Sequence, residues 1–172
     1  FIALGQEAYQ SLKYSEVPVV AASTGICVGG GAEVLLHCDA VQAHAESYIG
    51  LVEVGVGIVP GWGGCKELLA RLSDFELVEG GPMTPIMKAF EMIGTAKVAK
   101  SAEQARRMGF LRPSDRISMN RDRLIADAKT TLLELTEGYT PPEPHSYNLP
   151  GPSAKYALDM AVAALAPSLI HI

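Results

Sequence analysis

The chain has 172 residues, 48% hydrophobic and 19% charged, with a formal net charge of −5 at pH 7. That length suits one domain and that composition supplies a core. The acidic balance argues against nucleic acid or an anionic membrane surface as the main partner, while an anionic small ligand stays open, because backbone N–H groups bind anions without net positive charge.

Residues 1–14 predict a helix with Leu4, Ala8 and Leu12 on its inner face. The apolar, β-rich run 18–24, bounded by Pro18 and Gly25, reads as a buried strand. A small glycine-opened helix over 29–37 follows, then a second strand over 39–45. Residues 46–60, dense in Gly and Val, read as loop with short extended pieces. A helix runs from near Gly63 to Leu72, and Ser73 with Glu76 has capping-box spacing. Thr84-Pro85, a cap before an N1 proline, opens a helix to about Ile93. Ser101 with Gln104 is a further box, for a helix that stops at Gly109. The longest helix spans 120–137, with Leu124, Ala128, Leu132 and Leu135 inward and Gly138 ending it. Residues 139–152, with Pro141, Pro142, Pro144, Pro150 and Pro152, predict an extended connector, and 153–166 a last helix. Strands thus concentrate in the first third. The expected organisation is a unit over 1–138, the connector 139–152, and a C-terminal helix and tail over 153–172.

Cys27, Cys38 and Cys65 form no CxxC pair, which points to reduced thiols and a cytoplasmic location. His37, His44, His145 and His171 lack metal-ligand spacing, so no metal is expected. No apolar run approaches the roughly 20 residues of a membrane span, and neither a membrane span nor a signal peptide is expected. The chain opens on Phe1 in what reads as mid-helix, as a fragment of a longer protein would.

The chemistry concentrates in Gly29-Gly30-Gly31-Ala32-Glu33 and, twenty positions after Glu33, Glu53. Glycines at a helix start let a ligand approach backbone N–H groups. Glu33 is flanked by Ala32 and Val34-Leu35-Leu36, so it lies on a single wet face or is buried for proton transfer. A solvated glutamate is the commoner outcome, and the triple glycine is what favours the other. Glu53 alone would more often be a surface carboxylate; as a partner of Glu33 it could divide acid and base work. Pro60-Gly61-Trp62-Gly63-Gly64 is a second glycine-rich turn, in which Trp62 is a pocket wall or a packing residue with equal weight. Glu33 and His37 share a helix face, where a hydrogen bond is possible and a structural histidine is the simpler reading. Neither glycine cluster fits a dinucleotide fingerprint or a P-loop, and no G-x-S-x-G elbow occurs.

Pro18-Val19-Val20-Ala21-Ala22, Gly25, Gly29 to Glu33, Cys38-Asp39 and Pro60 to Gly64, in that order, resemble the signature block of the crotonase superfamily, in its enoyl-CoA hydratase/isomerase branch. The stretch 94–111, ending Ala105-Arg106-Arg107-Met108-Gly109-Phe110-Leu111, is similar to a later segment of that family, and the resemblance covers roughly 1–135. Residues 75–92 and the tail look closest to bacterial proteins in which an NAD-dependent 3-hydroxyacyl-CoA dehydrogenase is fused to a hydratase module. The resemblance implies an α/β crotonase fold with a helical C-terminal region, lacking the family's N-terminal strand units. It implies an acyl-CoA thioester as substrate, no cofactor in this chain, NAD only for the dehydrogenase part, and a homo-oligomer that is a trimer or dimer of trimers. It makes Glu33 and Glu53 catalytic, Gly30 one oxyanion-hole donor, and Gly30, Pro60, Gly61 and Trp62 substrate-binding. The implied reaction is hydration of a trans-2-enoyl-CoA in fatty-acid β-oxidation. Double-bond isomerisation, or a non-catalytic acyl-CoA-binding or oligomerisation module, are the alternatives. The turn after Gly64 departs from the family, with Cys65-Lys66-Glu67 where many relatives have Thr-Gln-Arg.

Overall fold

The computed structural model describes residues 1–74, 81–147 and 149–169. Two small sheets lie side by side because the chain lays one strand in each on every pass. Strand β1 (Val20–Ser23) belongs to the first sheet; the chain bends at Gly25, which adopts φ +65°, and β2 (Ile26–Val28) enters the second. After helix α2 (Gly30–His37) the pass repeats: β3 (Ala40–His44) pairs parallel with β1, and β4 (Tyr48–Gly50) pairs parallel with β2. The two corners are stitched together by Tyr48 N–H on Gly25 O at 2.7 Å and the Ser47 hydroxyl on Ser23 O at 3.1 Å. Strand β5 (Val98–Ala99) adds antiparallel to β4, and β6 (Arg116–Ser118) adds parallel to β3.

Helices pack around this frame: α1 (Ile2–Lys13), α3 (Gly64–Asp74), α4 (Met83–Gly94), α5 (Ala102–Met108), α6 (Leu124–Thr136) and α7 (Pro152–Leu169). The core is continuous from Leu35, Leu36, Val41, Ile49 and Leu51 to Leu68, Leu72, Phe110 and Leu111. It holds the start of α2, the end of β4 and the start of α3 in fixed relation, and the site forms where those three meet.

Several elements differ from the sequence expectation. Strands β2, β5 and β6 were not expected; each has two or three residues, too few for alternation to show, and two lie beyond the first third. On α1, Leu4 and Ala8 face solvent, and the helix docks through Gly5, Tyr9 and Lys13 instead. Ser73 is inside α3, its hydroxyl donating to Leu69 O, so it caps nothing, and Glu76 lies outside the described residues. Helix α4 starts at Met83, which puts Thr84-Pro85 in its first turn rather than at the boundary. The expected 120–137 helix is a 3-10 turn over Arg121–Arg123, capped by Asn120, and then α6, with Leu124 and Ala128 buried and Leu132 and Leu135 half-buried. Ser101 does cap α5, accepting from Gln104 N–H at 3.1 Å, and Gly109 ends it at φ +89°. Residues 139–147 carry no helix or strand, yet they pack on the body: the Tyr139 hydroxyl reaches Asp39 and that of Tyr147 donates to Lys66 O.

Candidate active site

Gly29 is the hinge of the site. Its φ of 59° and ψ of −130° exclude a side chain, and its N–H donates to Gly50 O at 2.9 Å, pinning the turn to the end of β4. Helix α2 starts at once, so the N–H groups of Gly30, Gly31 and Ala32 have no acceptor within the helix. Tyr9, from α1, donates its hydroxyl to Gly30 O at 3.1 Å and fixes the first peptide of that turn.

Glu33 is buried in the first turn of α2, only 2% exposed. A carboxylate there needs donors, and the glycine-rich turn before α3 supplies two. Gly64 N–H and Trp62 N–H both reach Glu33 Oε1, at 2.8 and 3.0 Å. The approach depends on missing side chains. A Cβ on Gly64 would stand 2.9 Å from Glu33 Cγ, and Gly63 between the donors holds φ +109°.

Glu53 opens a 3-10 turn over Glu53–Val56 and is 8% exposed. Its Oε2 is buried with no hydrogen-bond partner among the described residues. Burial first, and then the Glu33 charge, push its pKa above the ordinary glutamate value against the pull of backbone N–H groups. A Cβ on Gly29 would lie 3.6 Å from Glu53 Oε1, so this carboxyl sits against the glycine turn. One carboxylate firmly held and one left unsatisfied therefore meet at an open helix N-terminus.

The other expected residues divide. Gly30 opens α2 and Trp62 N–H reaches Glu33, while Pro60 is buried and the Gly61 carbonyl accepts from Gln6 Nε2 at 2.9 Å. The Trp62 indole is wedged between two glycines: a Cβ on Gly5 would stand 2.2 Å from its Nε1, and one on Gly30 would stand 3.0 Å from its Cζ3. Tyr9 meets it edge-on, with ring centroids 5.3 Å apart. The ring joins α1 to α2 while the backbone N–H serves Glu33. His37 Nδ1 pairs with the Glu33 backbone carbonyl at 2.7 Å, not with its carboxylate. Sequence reasoning missed the Gly64 N–H, Tyr9 and Cys65; the Cys65 thiol stands near enough to both glutamates that their charges, after burial, push its pKa up. The double glycine at 63–64 was the available signal for the first. Among the described residues no cluster of His, Cys, Asp or Glu could hold a metal ion, and no helix is long and apolar enough to cross a membrane.

A site of two carboxyls at a glycine-opened helix, set between strands that wind alternately through two sheets, defines the crotonase class. The chain belongs to the enoyl-CoA hydratase/isomerase family, whose model matches residues 3–110. It is 44% identical over 155 residues to a probable 3-hydroxyacyl-CoA dehydrogenase of Bacillus subtilis, an alignment covering 89% of this chain and 19% of that protein. It is 43% identical over 68 residues to a crotonyl-CoA hydratase of Syntrophomonas wolfei, covering 40% of this chain and 26% of that one. The crystal structure of an enoyl-CoA hydratase from Bacillus anthracis superposes with a TM-score of 0.63 at 25% identity, over 78% of this chain and 45% of that chain. The chain thus spans about a fifth of the Bacillus subtilis relative and under half of the solved hydratase.

Proposed function

We propose that these residues are the part of an enoyl-CoA hydratase that carries both catalytic carboxyls, within a β-oxidation protein that also contains a 3-hydroxyacyl-CoA dehydrogenase. The substrate is a trans-2-enoyl-CoA and the product a 3-hydroxyacyl-CoA. The carrying observation is the asymmetry between Glu33, held by two N–H groups, and Glu53, buried with a free oxygen.

Adding water to an α,β-unsaturated thioester puts enolate-like charge on the carbonyl oxygen. The Gly30 N–H, open at the start of α2, donates to that oxygen; each such donor is worth about 3 kcal/mol in oxyanion holes generally. In this reading the second donor is supplied from outside these 172 residues. Glu33, fixed at Oε1, takes a proton from water as its oxygen bonds to the β carbon. Glu53, raised toward its protonated form, delivers a proton to the α carbon from the same face. One proton is gained at Glu33 and one lost at Glu53, and exchange with solvent restores both. NAD serves only the dehydrogenase part in this reading, which also carries a cytoplasmic location and assembly as a trimer or dimer of trimers.

The test is the full-length protein with crotonyl-CoA, followed by loss of enoyl absorbance. Glu33→Gln and Glu53→Gln are each expected to slow hydration by about 10²- to 10⁴-fold, the range for a positioned acid or base. Activity near wild type in both variants refutes the assignment.

A further inference from the structure

His37 lies outside the proposed chemistry, yet it is 2% exposed and lies against the Glu33 backbone carbonyl and Gly63, the residue between the two donors to Glu33. Its Nδ1 bonds the Glu33 carbonyl at 2.7 Å. On its other side Gly63 presses on the ring: a Cβ built there would lie 2.9 Å from both His37 Cε1 and Nε2. Gly63 separates the two N–H donors to Glu33, and its own carbonyl accepts from Glu67 N–H at 2.9 Å. The turn is therefore clamped between the imidazole and the first turn of α3. The Tyr9 ring meets His37 edge-on at 5.4 Å, while its hydroxyl holds Gly30 O.

We infer that His37 is a positioning residue, the seat under Gly63 that keeps the Trp62 and Gly64 N–H groups aimed at the Glu33 carboxylate. The inference deepens the hydratase reading and rests on it for its kinetic consequence. The groups facing His37 suit a neutral ring. Tyr9 and Lys13 approach from α1, Glu33 from its own helix, and Lys66 and Glu67 from α3. Burial holds its pKa below the ordinary histidine value, against the raising effects of the Glu33 backbone carbonyl and Glu67. Glu67 Oε1 stands 3.8 Å from Nε2 and is already paired with Lys66 Nζ at 2.9 Å.

Two measurements on the full-length protein test this. In hydrogen exchange, peptides spanning 62–66 are expected to exchange about tenfold faster in His37→Ala than in wild type, a change typical of local opening. In His37→Gln, whose amide reaches the place of Nε2, exchange stays close to wild type. With crotonyl-CoA, His37→Ala is expected to lower kcat about 10- to 100-fold with KM within about twofold, as misplacement of a reacting group does, and His37→Gln recovers most of the loss. His37→Ala with wild-type exchange at 62–66 overturns the inference, as does a kcat loss that His37→Gln shares in full. A wild-type protein without hydratase activity refutes the proposed function instead, and the exchange result still decides whether His37 seats the turn.

Discussion

At the scale of single residues, the site is made by side chains that are absent. Gly64 has an ordinary backbone, with no positive φ to strain, so Gly64→Ala tests space alone. The new Cβ would stand 2.9 Å from Glu33 Cγ and from Leu51 Cδ2, and 3.0 Å from Glu33 Oε1. Leu51 is buried in the core and yields little, so the carboxylate moves. Crotonyl-CoA hydration is expected to fall about 10- to 100-fold, with stability reduced by about 1–3 kcal/mol. Unchanged kcat would mean that the Glu33 position is not set by this contact. Much of the site was legible at this scale. The triple glycine and Glu33 stood together in the sequence, and the chemistry of a carboxylate on an open helix follows from residue types. What could not be read was the donor pair, because Trp62 and Gly64 contribute backbone N–H groups that every residue but proline carries. The role of Trp62 was open between pocket and packing, and the residues that place its ring, Gly5, Tyr9 and Gly30, are far away in sequence.

Among elements, the helices were legible where their termini carry chemistry, as in the Ser101 cap and Gly109 stop of α5. The face of α1 was not, because docking by Gly5 and Tyr9 leaves no apolar stripe to count. Strand β6 was hidden for another reason: its three residues join a sheet only through β3, and the pairing is specified by side chains from elsewhere. Asp115, just before β6, accepts from Val41 N–H at 2.8 Å and Arg112 N–H at 2.6 Å. Arg71, from α3 and 5% exposed, reaches the carbonyls of Leu35 at 2.9 Å and Phe110 at 2.5 Å, and Asp115 at 3.8 Å. One guanidinium thus ties α3 to the last turn of α2 and to the segment that leads into β6. Arg71→Met leaves Asp115 and two buried carbonyls without that partner, and is expected to cost about 3–5 kcal/mol. Lost protection of α2 and α3 amides in hydrogen exchange measures it. Arg71→Lys should recover little, since an ammonium cannot fork to two carbonyls; full protection in either variant would show the tie to be dispensable.

Across the whole molecule, a second set of buried ionisable groups gathers beside the site carboxyls. Lys13 from α1 and Lys66 from α3 both pair with Glu67, with His37 at its edge. Burial alone would push Glu67 up, but the two ammonium groups outweigh it and hold its pKa below the ordinary 4.5. His37 is also held low, by burial, from an ordinary 6.5. Both shifts act in the same direction as pH falls. Below 6.5 the unfolded chain takes up a proton at His37 that the folded chain refuses, so stability declines until the folded pKa is reached. Below 4.5 the same holds for Glu67, whereas Glu53, raised in the folded state, takes up its proton early and opposes the decline. The His37 contribution is separable because it begins well above the carboxylate range. Protection of the α2 amides, corrected for the intrinsic pH dependence of exchange, is expected to weaken between about pH 7 and about pH 5.5 in the wild type. In His37→Gln, which keeps the packing and cannot titrate, that weakening should be shallower. Equal slopes in the two proteins would place the acid sensitivity of the fold elsewhere, and a steeper slope in the variant would mean that His37 is charged in the native state and paired with Glu67.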